Sequence, residues 1–276
     1  MMADDKRYYF RLNYFHRIMH AFVMVSFLGL ALTGLPLKYS DAHWASRLAY
    51  FLGGFQAAGY FHRVFAVVTL GYFAAHMIFL VWFFGWKSKE PFFRFLFGPG
   101  SMVPRWKDLW DLLGNFRWFI GLGPRPKYDR FTYWEKFDYW AVFWGVGMIG
   151  VSGLMLWFPT FFTRFLPGWA LNVATIVHSD EALLAVGFIF IFHYIHTHLR
   201  GDKFPLDQVI FTGRLSEEEM KHDKPLEYER LVGQGRLDEI RADPPPLWLR
   251  NFARIVGFSA LALGIFIIIL VITAGP

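Results

Sequence analysis

Five stretches of the chain, approximately 14–36, 61–84, 137–158, 175–199 and 248–272, are almost continuously apolar. Each meets the roughly 20 residues a helix needs to cross a bilayer. The pattern therefore predicts an all-α membrane protein with five transmembrane helices. Between these spans the pattern changes. Within the loop 85–136, the segment WKDLWDLLGNFRWFIGLG (106–123) alternates aromatic and charged residues. It predicts an amphipathic helix along the membrane interface, or a juxtamembrane loop with Trp anchors. Residues 213–246, from GRLSEEEMKHDKPLEYERLV to DPPP, predict one or two water-exposed helices before a rigid stop. That segment either docks a partner or presents a solvated charged face. The expected organisation is a four-helix bundle over 1–200 that includes the loop 85–136, then a polar segment 201–247, then a fifth span in 248–276. No internal repeat stands out, and there is no GxGxxG, P-loop, HExxH or GxSxG signature.

Composition agrees with the membrane class: 55% of residues are hydrophobic, 21% are aromatic and the mean hydropathy is +0.31. The formal charge of +6 comes from basic residues flanking the spans. They form no continuous basic face and no recognition motif, which argues against nucleic acid. Their distribution instead orients the chain. Lys and Arg number three in 1–13, ten in 85–136 and nine in 200–250, against two in 37–60 and one in 159–174. The positive-inside rule then predicts a cytoplasmic N-terminus and an outside C-terminus. The charged N-terminal stretch lacks a small-residue cleavage site, so the first span reads as retained. With no cysteine, disulfides, c-type haem attachment, thiolate zinc and iron–sulfur ligation by this chain are excluded. Any metal must be held by nitrogen or oxygen.

The histidines carry the chemistry. His62 and His76 lie fourteen positions apart in the second span; that is ~21 Å along a helix axis and within ~40° of one face. The fourth span repeats the arrangement with His178 and His193, fifteen positions apart. Both spans run in the same direction, so the histidines match in depth two by two. The first span adds His16 and His20, with His20 near the level of His76 and His193. One intramembrane histidine can simply bond a neighbouring carbonyl. Four in two depth-matched layers point to two b-type haems, each held by two imidazoles with an outer-shell acceptor behind each ring.

Arg63, Lys38 and Arg47 are candidates to pair with propionates of the outer haem, and Arg17 and Arg200 with those of the inner one; interfacial snorkelling is the plainer use of each. Gly29, Gly34, Gly145, Gly147, Gly150 and Gly153 would admit a macrocycle, or simply pack helices. The fifth span has no histidine and is expected to serve packing or partner contact.

RIMH in the first span, YFHRVFAV in the second, KYDRFTYWEKFDYW before the third and VHSDEALLAVGFIFIFHYIHTHLR in the fourth resemble the membrane cytochrome b subunits of respiratory oxidoreductases, the formate dehydrogenase gamma-subunit group with its hydrogenase and thiosulfate reductase relatives. The resemblance covers about 14–200. It implies a haem-binding four-helix bundle, with His20 and His193 on the inner haem and His62 and His178 on the outer. It further implies menaquinone or ubiquinone as substrate, and an outer partner such as a multihaem cytochrome c or an iron–sulfur and molybdenum enzyme. This chain departs from the pattern in carrying His76 and the pair His196 and His198. Either His76 replaces His20 on the inner haem, or His76 and His198 hold a third. For uniform α-helical turns His196 lies in phase with His178 and His193 lies ~60° off.

Quinone chemistry moves two electrons and two protons and needs an acid–base group. His16, Lys136 and Asp138 are candidates at the inner side, and Asp180 and Glu181 at the outer side. The rival reading is a proton-coupled or metal-ion transporter using the histidines. It expects acidic residues deep in the spans, whereas 64–75 and 182–192 contain no Asp, Glu, Lys or Arg. A purely structural anchor would require no histidine layers.

Overall fold

The computed structural model describes residues 6–88 and 90–274; the extreme N-terminus, Lys89 of the second basic loop and the last two residues lie outside the described residues. The chain is mostly helical, and five helices are long and apolar enough to cross a membrane. They are α1 (Tyr14–Lys38), α2 (Phe55–Lys87), α4 (Tyr133–Trp157), α5 (Trp169–Thr197) and α8 (Leu247–Ile272). Between α2 and α4 lies α3 (Trp106–Phe119), the amphipathic segment. After α5 come α6 (Glu217–Asp223) and α7 (Pro225–Gly233).

Local chemistry sets the ends of these helices. Asn13 caps α1, its side-chain oxygen accepting from the His16 backbone N–H at 2.9 Å. Thr132 and Glu135 form a reciprocal box at the start of α4, and Ser216 and Glu219 form another at α6. Pro225 sits in the first turn of α7, where its missing N–H costs nothing. Helix α2 begins at Phe55 rather than near 61, because Gly53 and Gly54 adopt φ of +93° and +101° and reverse the chain just before it. Helix α5 starts at Trp169 rather than near 175. In both, the added turns are less apolar and escape a hydropathy reading.

Two spans contain π-helical turns, Phe83–Lys87 at the end of α2 and Phe188–His193 within α5. The second of these re-aims a ligand candidate. A π turn holds one residue more than an α turn, so the fifteen positions from His178 to His193 act as about fourteen α steps. His193 thereby lies ~40° from the face of His178, the same offset as His76 from His62, and His196 is carried ~100° away from that face.

The chain divides into two compact units. One comprises Ile18–Ile78, Val142–Asp207 and the chain from Arg254 onward. Its core joins Ala31 and Leu35 of α1, Val186 of α5, and Ile267 and Leu270 of α8. Small residues let these helices approach: a Cβ on Gly29 would meet the Phe65 ring at 2.5 Å, and one on Gly264 would run into the Phe190 ring. The fifth span therefore packs against the first and fourth. Large side chains such as Val25, Ile78, Leu184 and Ile255 remain exposed on the outer faces, as expected of surfaces that meet lipid.

The other unit gathers the N-terminal segment through Arg17, Phe79–Ala141 and Gln208–Ala253. Here the structure adds strands to a chain read as all helix. Tyr8–Phe10 (β1) is the centre of a three-stranded antiparallel sheet, flanked by Arg214–Ser216 (β2) and Arg241–Ala242 (β3). Tyr9 is 2% exposed and packs on Leu215 and Met220. Strands of two or three residues with distant partners show no period along the sequence, which is why the pattern did not reveal them.

Candidate functional site

Within the first-described unit, α2 and α5 bring His62 and His178 together. Their ring centroids are 6.1 Å apart with planes at 79°. Each ring is fixed from behind by a hydroxyl on another span. Thr33 of α1 donates its hydroxyl hydrogen to the Gly29 carbonyl at 2.6 Å, which leaves its oxygen to accept from His62 Nδ1 at 3.1 Å. Ser152 of α4 likewise donates to the Met148 carbonyl at 2.6 Å. His178 Nδ1 donates to the Ile149 carbonyl at 2.9 Å, with Ser152 Oγ at 3.5 Å. In a neutral imidazole such acceptors favour the tautomer with the proton on Nδ1, which leaves the lone pair on Nε2.

The residues following the two hydroxyls are glycines. A Cβ on Gly34 would stand 3.1 Å from His62 Cε1, and one on Gly153 would stand 2.9 Å from His178 Cε1. These glycines make room for the imidazoles themselves. Gly147 has nothing within 4 Å, and Gly150 meets Leu70. The stretches LTGLPL (32–37) and VSGLML (151–156) therefore play the same part, a hydroxyl followed by a glycine behind a histidine. Sequence reasoning missed Thr33 and Ser152; the short likeness of these two stretches was the available signal.

This donor set fits an iron of a haem. Both outer-shell acceptors are already in place.

The end of α5 carries a second cluster. The His193 ring lies 5.8 Å from His196 and 6.0 Å from His198. His198 is 8% exposed, and its Nδ1 is buried without a hydrogen-bond partner among the described residues. His76 is half-buried in α2, edge-on to Phe143 at 6.0 Å, and His20 is half-buried in α1.

The charged candidates are placed as follows. Lys38 donates to Ser179 Oγ and Asp180 Oδ1, both at 2.9 Å, beside His178 in sequence. Glu181 accepts from Trp144 Nε1 at 3.2 Å. Arg63 lies 6.0 Å from the Trp157 ring centre, and Arg47 is exposed in the helix Ala45–Phe51. Arg200 pairs with Asp202 at 2.8 Å. Arg17 bonds the Phe211 carbonyl and stacks on Tyr14. His16 Nδ1 lies 2.7 Å from Asn13 Oδ1, and Asp138 is half-buried. Lys136 is 1% exposed and donates to both oxygens of Asp108, at 3.0 and 2.8 Å.

An apolar groove of about 350 Å³ opens between α4 and α5, lined by Gly147, Val151, Met155, Trp169 and Val173, with Ser152 on its wall. The chain matches no protein-family model and no curated protein.

Proposed function

We propose that this chain is the membrane cytochrome b subunit of a multi-subunit oxidoreductase, carrying electrons between a quinone pool and a partner redox subunit. The observation that carries this reading is the His62–His178 pair, two imidazoles from separate spans with ring centroids 6.1 Å apart and hydrogen-bond partners at Nδ1 from Thr33, Ile149 and Ser152. In this reading His62 and His178 hold an outer haem b. His193 holds an inner one together with His20 or with His76. His198, whose Nδ1 is orphaned, is the candidate with His76 for a third. The haem, when bound, supplies a one-electron carrier.

The chain's own residues do the rest. The Thr33 hydroxyl behind His62, and the Ile149 carbonyl with the Ser152 hydroxyl behind His178, accept from Nδ1 and so would leave Nε2 of each ring free to bind iron. The uncharged stretches 64–75 and 182–192 exclude water and compensating ions from the interior. Arg63 and Arg47 at one end, and Arg17 and Arg200 at the other, are the cations that would face propionates. Quinone protonation falls to His16, Lys136 or Asp138 on the inner side, or to Asp180 and Glu181 on the outer. The excess of Lys and Arg in 1–13, 85–136 and 200–250 orients the N-terminus to the cytoplasm and the C-terminus outside. The short outer loops then face an extracytoplasmic partner.

The test is a pyridine haemochromogen assay on the purified protein, with haem b counted per polypeptide. The expected content is two, or three if His76 and His198 form a further site, with His178→Ala lowering it by one. Folded protein that never carries haem b would overturn the reading and favour a transporter.

A further inference from the structure

Helix α3 is built the opposite way round from a helix on a water-soluble surface. On a helical projection Trp106, Leu109, Trp110, Leu113 and Phe116 fall within an arc of ~120°, while Asp108, Asp111 and Asn115 fall within ~60° on the far side. The apolar face is the exposed one: Trp106 is 80% exposed, Trp110 67% and Phe116 62%. The polar face points inward. Asp108 and Asn115 are both buried, Asp108 accepting from Lys136 Nζ and Asn115 donating to Tyr133 Oη at 2.9 Å. Asp111 pairs with Lys107 at 2.6 Å. A water-facing helix would bury the tryptophans and expose the aspartates.

The partners of that inward face say what covers the outward one. Lys136 and Tyr133 belong to the first turn of α4, a candidate membrane span, so α3 is fastened alongside the point where that span begins. Trp140, one turn further along α4, donates to the Met102 carbonyl at 3.0 Å and ties the approach to α3 to the same level. Exposed Phe92, Phe93 and Phe97 precede it. The charges around the apolar face are basic: Arg94 and Arg117 are exposed, and Arg117 projects within ~20° of Trp106. A cleft of about 420 Å³ at the N-terminal end of this face is lined by Phe97, Pro104, Trp106, Leu109 and Arg105, whose guanidinium lies 4.0 Å from the Asp129 carboxylate.

We propose that α3 is an in-plane membrane helix that sinks its Trp, Leu and Phe face into the headgroup–acyl boundary of the bilayer, with Arg117 directed to the phosphates of anionic lipids. The aromatic and aliphatic residues gain by leaving water, the tryptophans suit the interfacial layer, and basic side chains meet its negative surface potential. The buried Asp108–Lys136 pair is the hinge pin that holds the helix flat at this depth. A second copy or a partner protein on the same face is the competing occupant.

The natural absence of cysteine makes the experiment direct. Leu113→Cys and Phe116→Cys, each carrying a nitroxide, are placed in the full chain in nanodiscs of phosphatidylcholine and phosphatidylglycerol. Val232→Cys, a residue 50% exposed on α7, is the aqueous reference. Collision rates with oxygen and with a neutral nickel chelate report depth. The expected result is a rate ratio favouring oxygen at 113 and 116 by severalfold over that at 232. Equal nickel access at all three positions would overturn the proposal, as water would then cover the face. Exclusion of both reagents at 113 and 116 would overturn it in favour of a protein occupant.

Discussion

Thr33 stands to His62 as Ser152 stands to His178: each hydroxyl donates to the carbonyl four residues before it and offers its oxygen to the imidazole of a neighbouring span. Behind each hydroxyl stands the carbonyl three residues before it: the Ile149 carbonyl lies 2.9 Å from His178 Nδ1, and the Leu30 carbonyl bonds His62. The hydroxyls differ in reach, Thr33 Oγ1 lying 3.1 Å from its imidazole nitrogen and Ser152 Oγ 3.5 Å.

That difference predicts unequal consequences. Thr33→Val keeps the shape and removes the acceptor, and outer-shell losses of this kind typically cost 10–100-fold in metal affinity. Ser152→Ala should cost less, because its hydroxyl stands farther from the ring than that of Thr33 while the Ile149 carbonyl lies at 2.9 Å. Haem retention on dilution and the reduction midpoint of each purified variant measure this, with Thr33→Ser as the conservative control. Equal effects from Thr33→Val and Ser152→Ala would contradict the assignment of acceptors.

The glycines make a sharper comparison. Gly153→Ala places a methyl 2.9 Å from His178 Cε1, and Gly34→Ala places one 3.1 Å from His62 Cε1, so either ring must shift. Gly147→Ala meets nothing within 4 Å. Alanine at 153 and 34 should lower haem content or broaden the visible spectrum, and alanine at 147 should leave both unchanged. A spectrum insensitive to Gly153→Ala would place the cofactor elsewhere.

Lys136 separates a structural role from a catalytic one. It is buried and bonded to both oxygens of Asp108, and removing one partner of such a pair typically costs about 3–5 kcal/mol. Lys136→Met should therefore lower the thermal midpoint strongly, and Lys136→Met with Asp108→Leu should recover most of the loss. If Lys136 carries protons to quinone, the double variant would regain stability yet remain inactive in quinone turnover. Recovery of both would leave it a purely structural ion.

Glu217 supplies a pH dependence outside the spans. Hydrogen bonds from Lys221 and Tyr228 hold its carboxyl below the ordinary carboxylate range. The stability this contributes is complete above the ordinary value and is lost as pH falls through the depressed one. The thermal midpoint should drop over that acidic window, and Glu217→Gln should show a smaller drop there, with the loss already present at neutral pH. Superimposable pH profiles of the two proteins would show that the carboxylate contributes nothing.

The legible parts of this protein were those that depend on local composition. Unbroken apolar length predicts a helix because lipid leaves backbone groups no partner but one another. The five runs and the histidines near each end of two spans could therefore be read one segment at a time. Tyr8–Phe10 could not, since a three-residue strand exists only through partners at 214–216 and 241–242. Nor could the amphipathic 106–119 be told from a loop until Asp108 was seen to turn inward onto Lys136.

The sequence by itself determined that this chain carries five runs long and apolar enough to cross a membrane and that two of them each carry histidines near both ends. Only the tertiary structure decided which of them meet and how their protons are held. A π turn at Phe188–His193 restores His193 to the face of His178, and backbone hydrogen bonds that skip one residue leave no mark in a hydrophobic pattern. Thr33 and Ser152 become acceptors because packing brings α1 and α4 behind rings that belong to α2 and α5. Such partnerships join residues separated by at least 26 positions, a distance over which no periodicity of the chain can speak.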